Sequence, residues 1–414
     1  MMAVCAPQTT CVVCDAEVLP LLDLDVQPPA NLLLKDVSEP QDAFPLGLSV
    51  CPSCTHGQLT HFVDPARLFK HYLYASGTSG TLKAYFDWFA DALAAGGRRG
   101  ARVLEIASND GSLLASLEAR GFDAMGVDPA ENLNRIATAA GRKVLTGFFP
   151  DVRPAEPVDF IIAMNVAAHT PNPAAFMRGV RDCLAAGGVA IIQTSQALMI
   201  ANGEFDTVYH EHYSFFTVAS MTRLAEACGL RVDETRLVSV HGVSSMFFIR
   251  RAEDDAAPLP FAGGEPFAVD WPAPTPPFLQ KSLSGAAALD AYRSFASGAK
   301  QAMQSAASLV SEHQAAGRRV ALVGVAAKAL TFIRAAGIHP DMYIDEAALK
   351  VGLMVPGTQQ RIEPLQKAAG MAENTTFLIG AWNFAEELMR KIKGLNTSSS
   401  PKFVMYFPKL TEIG

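Results

Sequence analysis

The fold of this protein follows from one stretch of its sequence, Arg102-Val-Leu-Glu-Ile-Ala-Ser-Asn-Asp-Gly111. The first part of the stretch has the apolar pattern of a buried strand, and the second part has the small and polar residues of a turn. A helical pattern then runs through Leu117, and a second strand pattern ends at Asp128. This order predicts a βαβ unit, and similar apolar runs further along predict that the parallel sheet continues.

The turn after the first strand lies where doubly wound sheets bind their ligands. Its small residues let the backbone approach a ligand, and the carboxylates of Glu105 and Asp110 suit an amino group but would repel a phosphate. With Gly111 as its one glycine, the turn lacks the phosphate cradle of a dinucleotide fingerprint. The turn, including Ser108, therefore favours S-adenosylmethionine over NAD.

Three further residues are expected to line the same pocket. Asp128 ends the second strand, where an acidic side chain can accept both ribose hydroxyls of a nucleoside. Asn165 and His169 follow the next strand along the chain and would face the same crevice. The alternative is that the acidic residues only cap helix starts and that the histidine is incidental.

Four of the seven cysteines form two Cys-x-x-Cys pairs, Cys11 with Cys14 and Cys51 with Cys54. Each pair can place two thiolates on a tight turn, and two such turns complete a tetrahedral zinc site. Four thiolates leave no open coordination position, so we expect the zinc to be structural. Two unrelated pairs of small apolar residues, an iron-sulfur cluster and a redox pair are the alternatives.

Composition and charge exclude several classes of protein. Half of the residues are hydrophobic and 18% are charged, as in a globular enzyme. The net charge is −7 and no long run of Lys and Arg occurs, so we expect no nucleic acid partner. Residues 1–10 lack a signal-peptide pattern, and no stretch approaches twenty uninterrupted apolar residues. We therefore expect a cytoplasmic protein without a membrane partner.

At 414 residues the chain is longer than one hydrophobic core usually supports, so several domains are expected. Changes in pattern predict a zinc-binding domain over 1–70, a sheet domain over 71–251, a proline-rich linker over 252–284 and a second, smaller sheet domain over 285–414. The predicted fold class is α/β, with a zinc-ribbon-like N-terminal domain and two Rossmann-like domains. The sequence leaves open whether the protein is a monomer or a homodimer.

The densest chemical segment is Val208-Tyr-His-Glu-His-Tyr-Ser-Phe-Phe216. Histidine suits proton transfer near neutral pH, a carboxylate can orient it, and a phenol can stabilise an oxyanion. These functions together are what removal of a proton from a carbon beside a ketone requires. Metal binding by His210 and His212, or a polar loop with aromatic packing, are the alternatives.

The chain resembles the sugar C-methyltransferases that act on nucleotide-linked 4-keto-deoxyhexoses and methylate C3 in deoxysugar biosynthesis. The resemblance covers nearly the whole chain, including the cysteine ribbon. The other matching segments are 72–79, 105–111, Tyr209-His-Glu-His212 and Ala381-Trp-Asn383. The resemblance implies that the central domain is a class I S-adenosylmethionine-dependent methyltransferase. It also implies that the C-terminal domain helps to hold the nucleotide-sugar, since 324–328 and 356–358 match its pattern.

The resemblance also assigns residue roles. His212 would be the general base, and Tyr209 would stabilise the enolate or assist proton transfer. Glu211 would support the histidine or hold the sugar, and Tyr74 would lie beside the methyl donor. Two other functions remain open at this point: methyl transfer to oxygen or nitrogen of another small molecule, and a non-catalytic scaffold that binds nucleotides.

Overall fold

The computed structural model describes residues 4–70, 76–78, 80–97, 100–255 and 257–414. Within these ranges the strands form four sheets, which contain two, four, eight and six strands. The eight-stranded and six-stranded sheets are mostly parallel and carry helices, so the predicted α/β fold class with two Rossmann-like units is confirmed. The exact domain boundaries stay a prediction.

The N-terminal unit is built from short antiparallel strands. Its elements are β1 (Cys5–Pro7), β2 (Leu19–Gln27), β3 (Phe44–Val50), β4 (Gly57–Leu59), β5 (His61–Val63) and the short helix α1 (Pro65–Phe69). Strands β2, β3 and β4 pair antiparallel, while β1 pairs with β5. Leu48 and Val50 of β3 are fully buried, so this small sheet has an apolar interior.

The central unit alternates strands and helices, as the apolar runs predict. Its elements are α2 (Gly80–Ala95), β6 (Arg102–Ile106), α3 (Ser112–Ala119), β7 (Asp123–Asp128), α4 (Glu131–Ala139), β8 (Val144–Thr146), β9 (Val158–Met164), α5 (Pro173–Cys183), β10 (Leu184–Thr194), α6 (Met199–Asn202), β11 (Ser214–Phe215), α7 (Val218–Ala227), β12 (Leu230–Val238), β13 (Ser244–Arg251) and β14 (Ala268–Val269).

The strand order of the central sheet locates its ligand crevice. The order is β14-β12-β13-β10-β9-β6-β7-β8, with β6 to β10 parallel and β12 to β14 antiparallel. The chain passes from β6 to β7 and β8 on one side and returns to β9 on the other. This reversal is a topological switch point, where open α/β sheets leave a crevice beyond the carboxyl ends of their strands.

Two short strands of this region lie in unexpected places. β11 does not join the central sheet but pairs antiparallel with β4 of the N-terminal unit. β14 lies inside the stretch that the sequence predicts as a linker, 252–284, and extends the central sheet by pairing with β12. Both are only two residues long, which is too short to produce a readable sequence pattern.

The C-terminal unit begins with a long helix and continues as a second parallel sheet. Its elements are α8 (Gly285–Ala315), β15 (Arg319–Val323), α9 (Ala327–Ala335), β16 (Met342–Asp345), β17 (Ile362–Pro364), β18 (Thr375–Ile379), α10 (Ala385–Leu395), β19 (Lys402–Met405) and β20 (Thr411–Ile413). Their order is β17-β16-β15-β18-β19-β20, and only β20 runs antiparallel among these strands. In the described ranges, no helix combines the length and apolarity needed to cross a membrane.

One hydrophobic core joins the N-terminal and C-terminal units. It contains Leu48 of β3, Tyr292 of α8 and Leu322 of β15. The start of α8 also lies against the second cysteine turn, because a Cβ placed on Gly285 would overlap the carbonyl oxygen of Pro52. The long helix therefore connects the cysteine ribbon with the second Rossmann-like sheet.

Two glycines of α8 provide a matched test of this packing. Gly298 lies exposed within the helix, and a Cβ there meets no described atom within 4 Å. Gly298→Ala should therefore stabilise the protein by about 0.5–1 kcal/mol, the usual helix preference for alanine. Gly285→Ala should lower the melting temperature, because its methyl group would overlap Pro52. Thermal denaturation of both variants checks this, and a stabilising Gly285→Ala would contradict the close approach of α8 to the cysteine turn.

Candidate active site and metal centre

The four predicted cysteine ligands converge on one point. Their sulfur atoms all lie within 4.8 Å of one another. The Sγ–Sγ distance is 3.5 Å for both Cys11–Cys54 and Cys14–Cys51. A tetrahedral zinc with Zn–S bonds of about 2.3 Å requires sulfur atoms about 3.8 Å apart, so the donor set fits this ion. In the described part of the chain, this is the single group of three or more His, Cys, Asp and Glu side chains close enough to hold a metal.

The two cysteine pairs share one local structure. In each pair, the residue after the second cysteine has a left-handed backbone, with φ of 60° at Asp15 and 64° at Thr55. Its N–H donates to the carbonyl of the first cysteine, at 2.9 Å to Cys11 and 3.0 Å to Cys51. A further backbone N–H in each pair points to the first sulfur. The repeated turn explains why both pairs present two thiolates in the same direction.

Residues just after the second cysteine pair connect the N-terminal unit to the central unit through hydrogen bonds. His56 is fully buried, with Nε2 3.2 Å from Ser214 Oγ and Nδ1 3.5 Å from Ser220 Oγ. Burial lowers the pKa of His56 to about 3, so its ring is neutral. Thr55 Oγ1 lies 3.1 Å from Thr217 Oγ1. The ribbon therefore fixes the chain that follows the Tyr-His-Glu-His segment.

The crevice at the end of β6 contains buried polar atoms that lack partners. Neither Oε2 of Glu105 nor Oγ of Ser108 has a hydrogen-bond partner among the described residues. Burial, followed by the nearby charges of Asp128 and Asp110, raises the pKa of Glu105 well above its usual range. Leaving such atoms buried and unpaired is costly, so this pocket fits a ligand that donates hydrogen bonds and carries positive charge.

Asp128 has the geometry expected of a ribose-binding carboxylate. Its Oδ1 accepts from the N–H of Ala130 at 2.7 Å, and its Oδ2 accepts from the N–H of Asn109 at 2.9 Å. These two bonds fix the carboxylate plane and leave each oxygen one further accepting position. The side chain is nearly buried, and desolvation raises its pKa. The turn and the end of the second strand thus meet, as the sequence predicts.

Asp110 has a different place from Glu105. Its Oδ2 accepts from the N–H of Gly77 at 2.7 Å, while its Oδ1 accepts from the N–H and the hydroxyl of Ser112. The carboxylate thus binds the first residue of α3, whose N-cap is Gly111, and joins the 76–78 segment to the turn. Gly111 follows with φ of 76°, a left-handed conformation that glycine adopts easily. Tyr74 lies outside the described residues.

The residues after β9 connect the donor crevice with the Tyr-His-Glu-His segment. Asn165 has φ of 56° and donates its N–H to the carbonyl of Gln193 at 2.9 Å. The ring of His169 contacts that of His212 edge-on, with centroids 4.8 Å apart. Burial lowers the pKa of His169 to about 4, and its Nδ1 has no partner in the described ranges. His169 is therefore placed at the junction of the two predicted sites.

His212 is held in one tautomer by its two neighbours. Its Nδ1 lies 2.7 Å from the carbonyl oxygen of Thr207, which can only accept, so Nδ1 carries the hydrogen. In the neutral ring Nε2 then has a lone pair and accepts from the phenol of Tyr209 at 2.9 Å. Burial, followed by the charge of nearby His169, lowers the pKa of His212 well below its ordinary value. The ring is neutral at pH 7 with its basic nitrogen at the phenol.

The other residues of the segment face the N-terminal unit. The carboxylate of Glu211 accepts from the amide of Asn31, at 2.9 Å to Oε1 and 2.8 Å to Oε2. His210 Nε2 lies 3.1 Å from the carbonyl oxygen of Phe44 in β3. His210 and His212 thus point to different partners, which gives no support to their acting together as metal ligands.

Several polar residues near these sites have no signal in the sequence. Asn31 lies 180 positions from its partner Glu211. Asp206, Gln196 and Thr194 are buried and have side-chain atoms without partners among the described residues. A buried polar side chain is recognisable only when its surroundings are known, so sequence patterns do not find such residues.

Family models match three successive parts of the chain. Residues 11–69 match a zinc binding domain, residues 69–235 match a methyltransferase domain, and residues 280–408 match a C-methyltransferase C-terminal domain. The C-methyltransferase NovU of Streptomyces niveus is 28% identical over 99% of this chain and 98% of its own length. These matches show that the protein is an S-adenosylmethionine-dependent C-methyltransferase.

Other similar proteins match less than half of the chain. A ubiquinone biosynthesis O-methyltransferase of Aeromonas salmonicida (strain A449) is 25% identical over 41% of this chain and 78% of its own length. Among solved structures, the mitomycin 7-O-methyltransferase MmcR matches with a TM-score of 0.37 and 18% identity. That match covers 42% of this chain and 55% of the MmcR chain.

This C-methyltransferase therefore uses S-adenosylmethionine and binds zinc, as the sequence predicts. The zinc site lies in the N-terminal unit and is made of thiolates alone, so its function is structural. The unpaired buried oxygens of Glu105 and Ser108 fit a ligand that brings hydrogen-bond donors, as the amino group of the methyl donor does. The acceptor is a small molecule.

The zinc site can be tested with one cysteine inside the cluster and one outside it. Wild-type protein and Cys5→Ser should each contain about one zinc per chain, whereas Cys51→Ser should lose most of it. Because ligand binding to the folded state contributes to stability, Cys51→Ser should also unfold at a lower temperature. Elemental analysis and thermal denaturation measure the two effects. Wild-type protein without zinc would contradict the assignment.

The role of Asp128 can be tested against an aspartate on the same strand. Asp128→Asn should weaken S-adenosylmethionine binding about 10-fold to 100-fold, the usual cost of a lost charge-assisted hydrogen bond. Asp123→Asn should leave the affinity unchanged, because Asp123 lies exposed at the other end of β7 and pairs with Lys143. Isothermal titration calorimetry measures both. Equal affinities for the two variants would remove Asp128 from the binding site.

Proposed function

We propose that this C-methyltransferase methylates the carbon next to the ketone, C3, of a nucleotide-linked 4-keto-deoxysugar, with His212 as general base. The observation that supports this most directly is the buried pair formed by His212 and Tyr209. A neutral imidazole with its lone pair at a phenol is suited to taking a proton from a weak carbon acid. The same phenol is suited to stabilising the enolate.

Hydrogen bonding and burial keep the His212 ring in the neutral form that can accept a proton. The hydrogen bond to the Thr207 carbonyl leaves Nε2 as the nitrogen that can accept a proton. Because the pKa is lowered, this nitrogen stays unprotonated at neutral pH. The Nδ1–H bond also supports the imidazolium that forms when the proton arrives, since the carbonyl dipole then faces a full positive charge.

Proton removal has a simple balance. The proton on the sugar carbon goes to Nε2 of His212, and the electron pair of the broken C–H bond moves onto the ketone oxygen as an enolate. The O–H of Tyr209, which points to Nε2 in this structure, is available to donate to that developing oxyanion. When bound, S-adenosylmethionine would supply the electrophilic methyl group, and its sulfur would keep the electron pair of the broken S–CH3 bond as the new C–C bond forms.

The placement of the base relative to the donor crevice supports this assignment. His169 follows β9, at the edge of the sheet that carries the donor pocket, and its ring contacts that of His212. The carbon acid would thus lie between the crevice at β6 and the imidazole. Methyl transfer requires the nucleophilic carbon and the methyl group of the donor to be aligned. Binding of the substrate between the crevice and the imidazole would favour that alignment.

We assign three polar side chains to the sugar acceptor. The amide of Asn31 fixes the carboxylate of Glu211, which we propose holds a sugar hydroxyl. The amide of Gln196 is 6% exposed and has no partner in the described part of the chain, so it can donate to and accept from a ligand. Lys328, in the first turn of α9, offers positive charge for the diphosphate. The proposed place of Tyr74 beside the donor depends on the resemblance.

Proton exchange tests the proposed chemistry directly. With a panel of nucleotide-linked 4-ketohexoses in deuterated water, the wild-type enzyme should exchange the hydrogen next to the ketone without methyl donor, and should add a methyl group when the donor is present. His212→Ala should reduce both rates about 1,000-fold while the affinity for S-adenosylmethionine stays nearly unchanged. Mass spectrometry measures exchange and methylation.

His339→Ala is the matched control, since His339 is exposed on the C-terminal unit. It should retain both rates. Methylation by His212→Ala at the wild-type rate would exclude His212 as the base, and methylation without exchange across the panel would exclude the enolate route.

A further inference from the structure

The carbonyl that orients His212 belongs to a short 3₁₀ turn, Phe205–Thr207, at the start of the base-carrying segment. Thr207 is 2% exposed, and its hydroxyl donates to the carbonyl of Glu204 at 2.7 Å. Any displacement of this turn moves the acceptor of the Nδ1–H bond. The position of His212 therefore depends on what holds the turn.

The middle residue of the turn is held from the C-terminal unit. Asp206 is 1% exposed, and its Oδ2 accepts from Trp382 Nε1 at 2.8 Å and from Tyr406 Oη at 2.9 Å. The ring of Tyr406 is stacked on Phe332 of α9, with centroids 3.8 Å apart and planes 7° from parallel. A buried carboxylate is stable only when hydrogen-bond donors compensate for its lost hydration. The two donors therefore hold the side chain of Asp206 in one position.

A second contact holds the residue before the turn. Lys328 Nζ lies 3.5 Å from Glu204 Oε2 and 4.4 Å from the centre of the Trp382 ring. Trp382 therefore contacts both anchors, through its N–H on Asp206 and through its ring face on Lys328. The C-terminal unit therefore contacts two acidic side chains, that of Glu204 just before the turn and that of Asp206 within it.

We propose that Asp206 is a positioning residue through which Trp382 and Tyr406 of the C-terminal unit hold the Thr207 carbonyl and thereby fix the ring of His212. This inference depends on the proposed function of His212. Under this proposal the second Rossmann-like unit affects the reaction rate, because a displacement of about 1 Å in a reacting group can lower the rate about 100-fold.

The orientation of His212 can be measured without any substrate. In ¹⁵N-histidine-labelled protein, the His212 signal, identified by its absence in His212→Ala, should show hydrogen on Nδ1. Asp206→Leu should give a mixture of the two tautomers, whereas Asp206→Asn should retain the wild-type signal. The asparagine oxygen can still accept from both donors, so it tests the hydrogen bonds apart from the charge. An unchanged Nδ1–H tautomer in Asp206→Leu would overturn the proposal.

Methylation of a dTDP-linked 4-keto-6-deoxyhexose adds a kinetic test. Asp206→Leu should lower kcat about 100-fold, with little change in the affinity for S-adenosylmethionine, and Asp206→Asn should restore most of the rate. A purely structural residue would lower donor affinity and rate together. If His212→Ala is inactive and Asp206→Leu is fully active, only the positioning role fails. If His212→Ala is active, the proposed function itself fails.

A milder variant covers the case in which Asp206→Leu does not fold. Tyr406→Phe removes one donor and should lower kcat by several-fold, and Tyr343→Phe on β16, beside Arg334, is the matched control. Because Asp206→Asn retains an oxygen that accepts from both donors, Tyr406→Phe should lower kcat by about the same factor in the Asp206→Asn protein as in the wild type. A wild-type rate in Tyr406→Phe would contradict a route through Asp206.

Discussion

The reversal of strand order at β6 is the constraint on which the catalytic centre depends. Because the chain runs from β6 outward to β7 and then returns to β9, the carboxyl ends of three parallel strands border one crevice. A parallel sheet is buried on both faces, so this edge is where polar side chains can meet a ligand. Glu105, Asp128 and Asn165 lie at or just beyond the carboxyl ends of these strands, so the sheet brings residues sixty positions apart to one edge.

The Tyr-His-Glu-His segment and the turn before it are held by parts of the chain on either side of the central unit. From the N-terminal unit, β4 pairs with β11, and Asn31 holds Glu211. From the C-terminal unit, Trp382 reaches Asp206. The zinc site contributes indirectly, since it shapes the small sheet that carries β4. A metal without an open coordination position can thus matter to catalysis by holding the wall of a pocket.

Burial gives the acidic and imidazole groups of this site their chemical character. Removed from water, the carboxyl of Glu105 has a raised pKa and the ring of His212 has a lowered one, because both lose hydration of their charged forms. For the carboxyl this favours contact with a cationic ligand, which restores the lost stabilisation of charge. For the imidazole it preserves the neutral, basic form. Burial therefore favours the neutral form of both groups.

The sequence by itself determined the α/β class, the thiolate cluster, the family and the donor turn, because each depends on local periodicity or on spacing within a few residues. A local cluster drew attention to Tyr209, Glu211 and His212, while their individual roles follow from the resemblance and stay predictions. Only the tertiary structure decided that β11 joins the N-terminal sheet, that Asn31 binds Glu211, and that Trp382 and Tyr406 bind Asp206. These contacts join residues up to 200 positions apart, and no local pattern records which distant side chain compensates a buried charge.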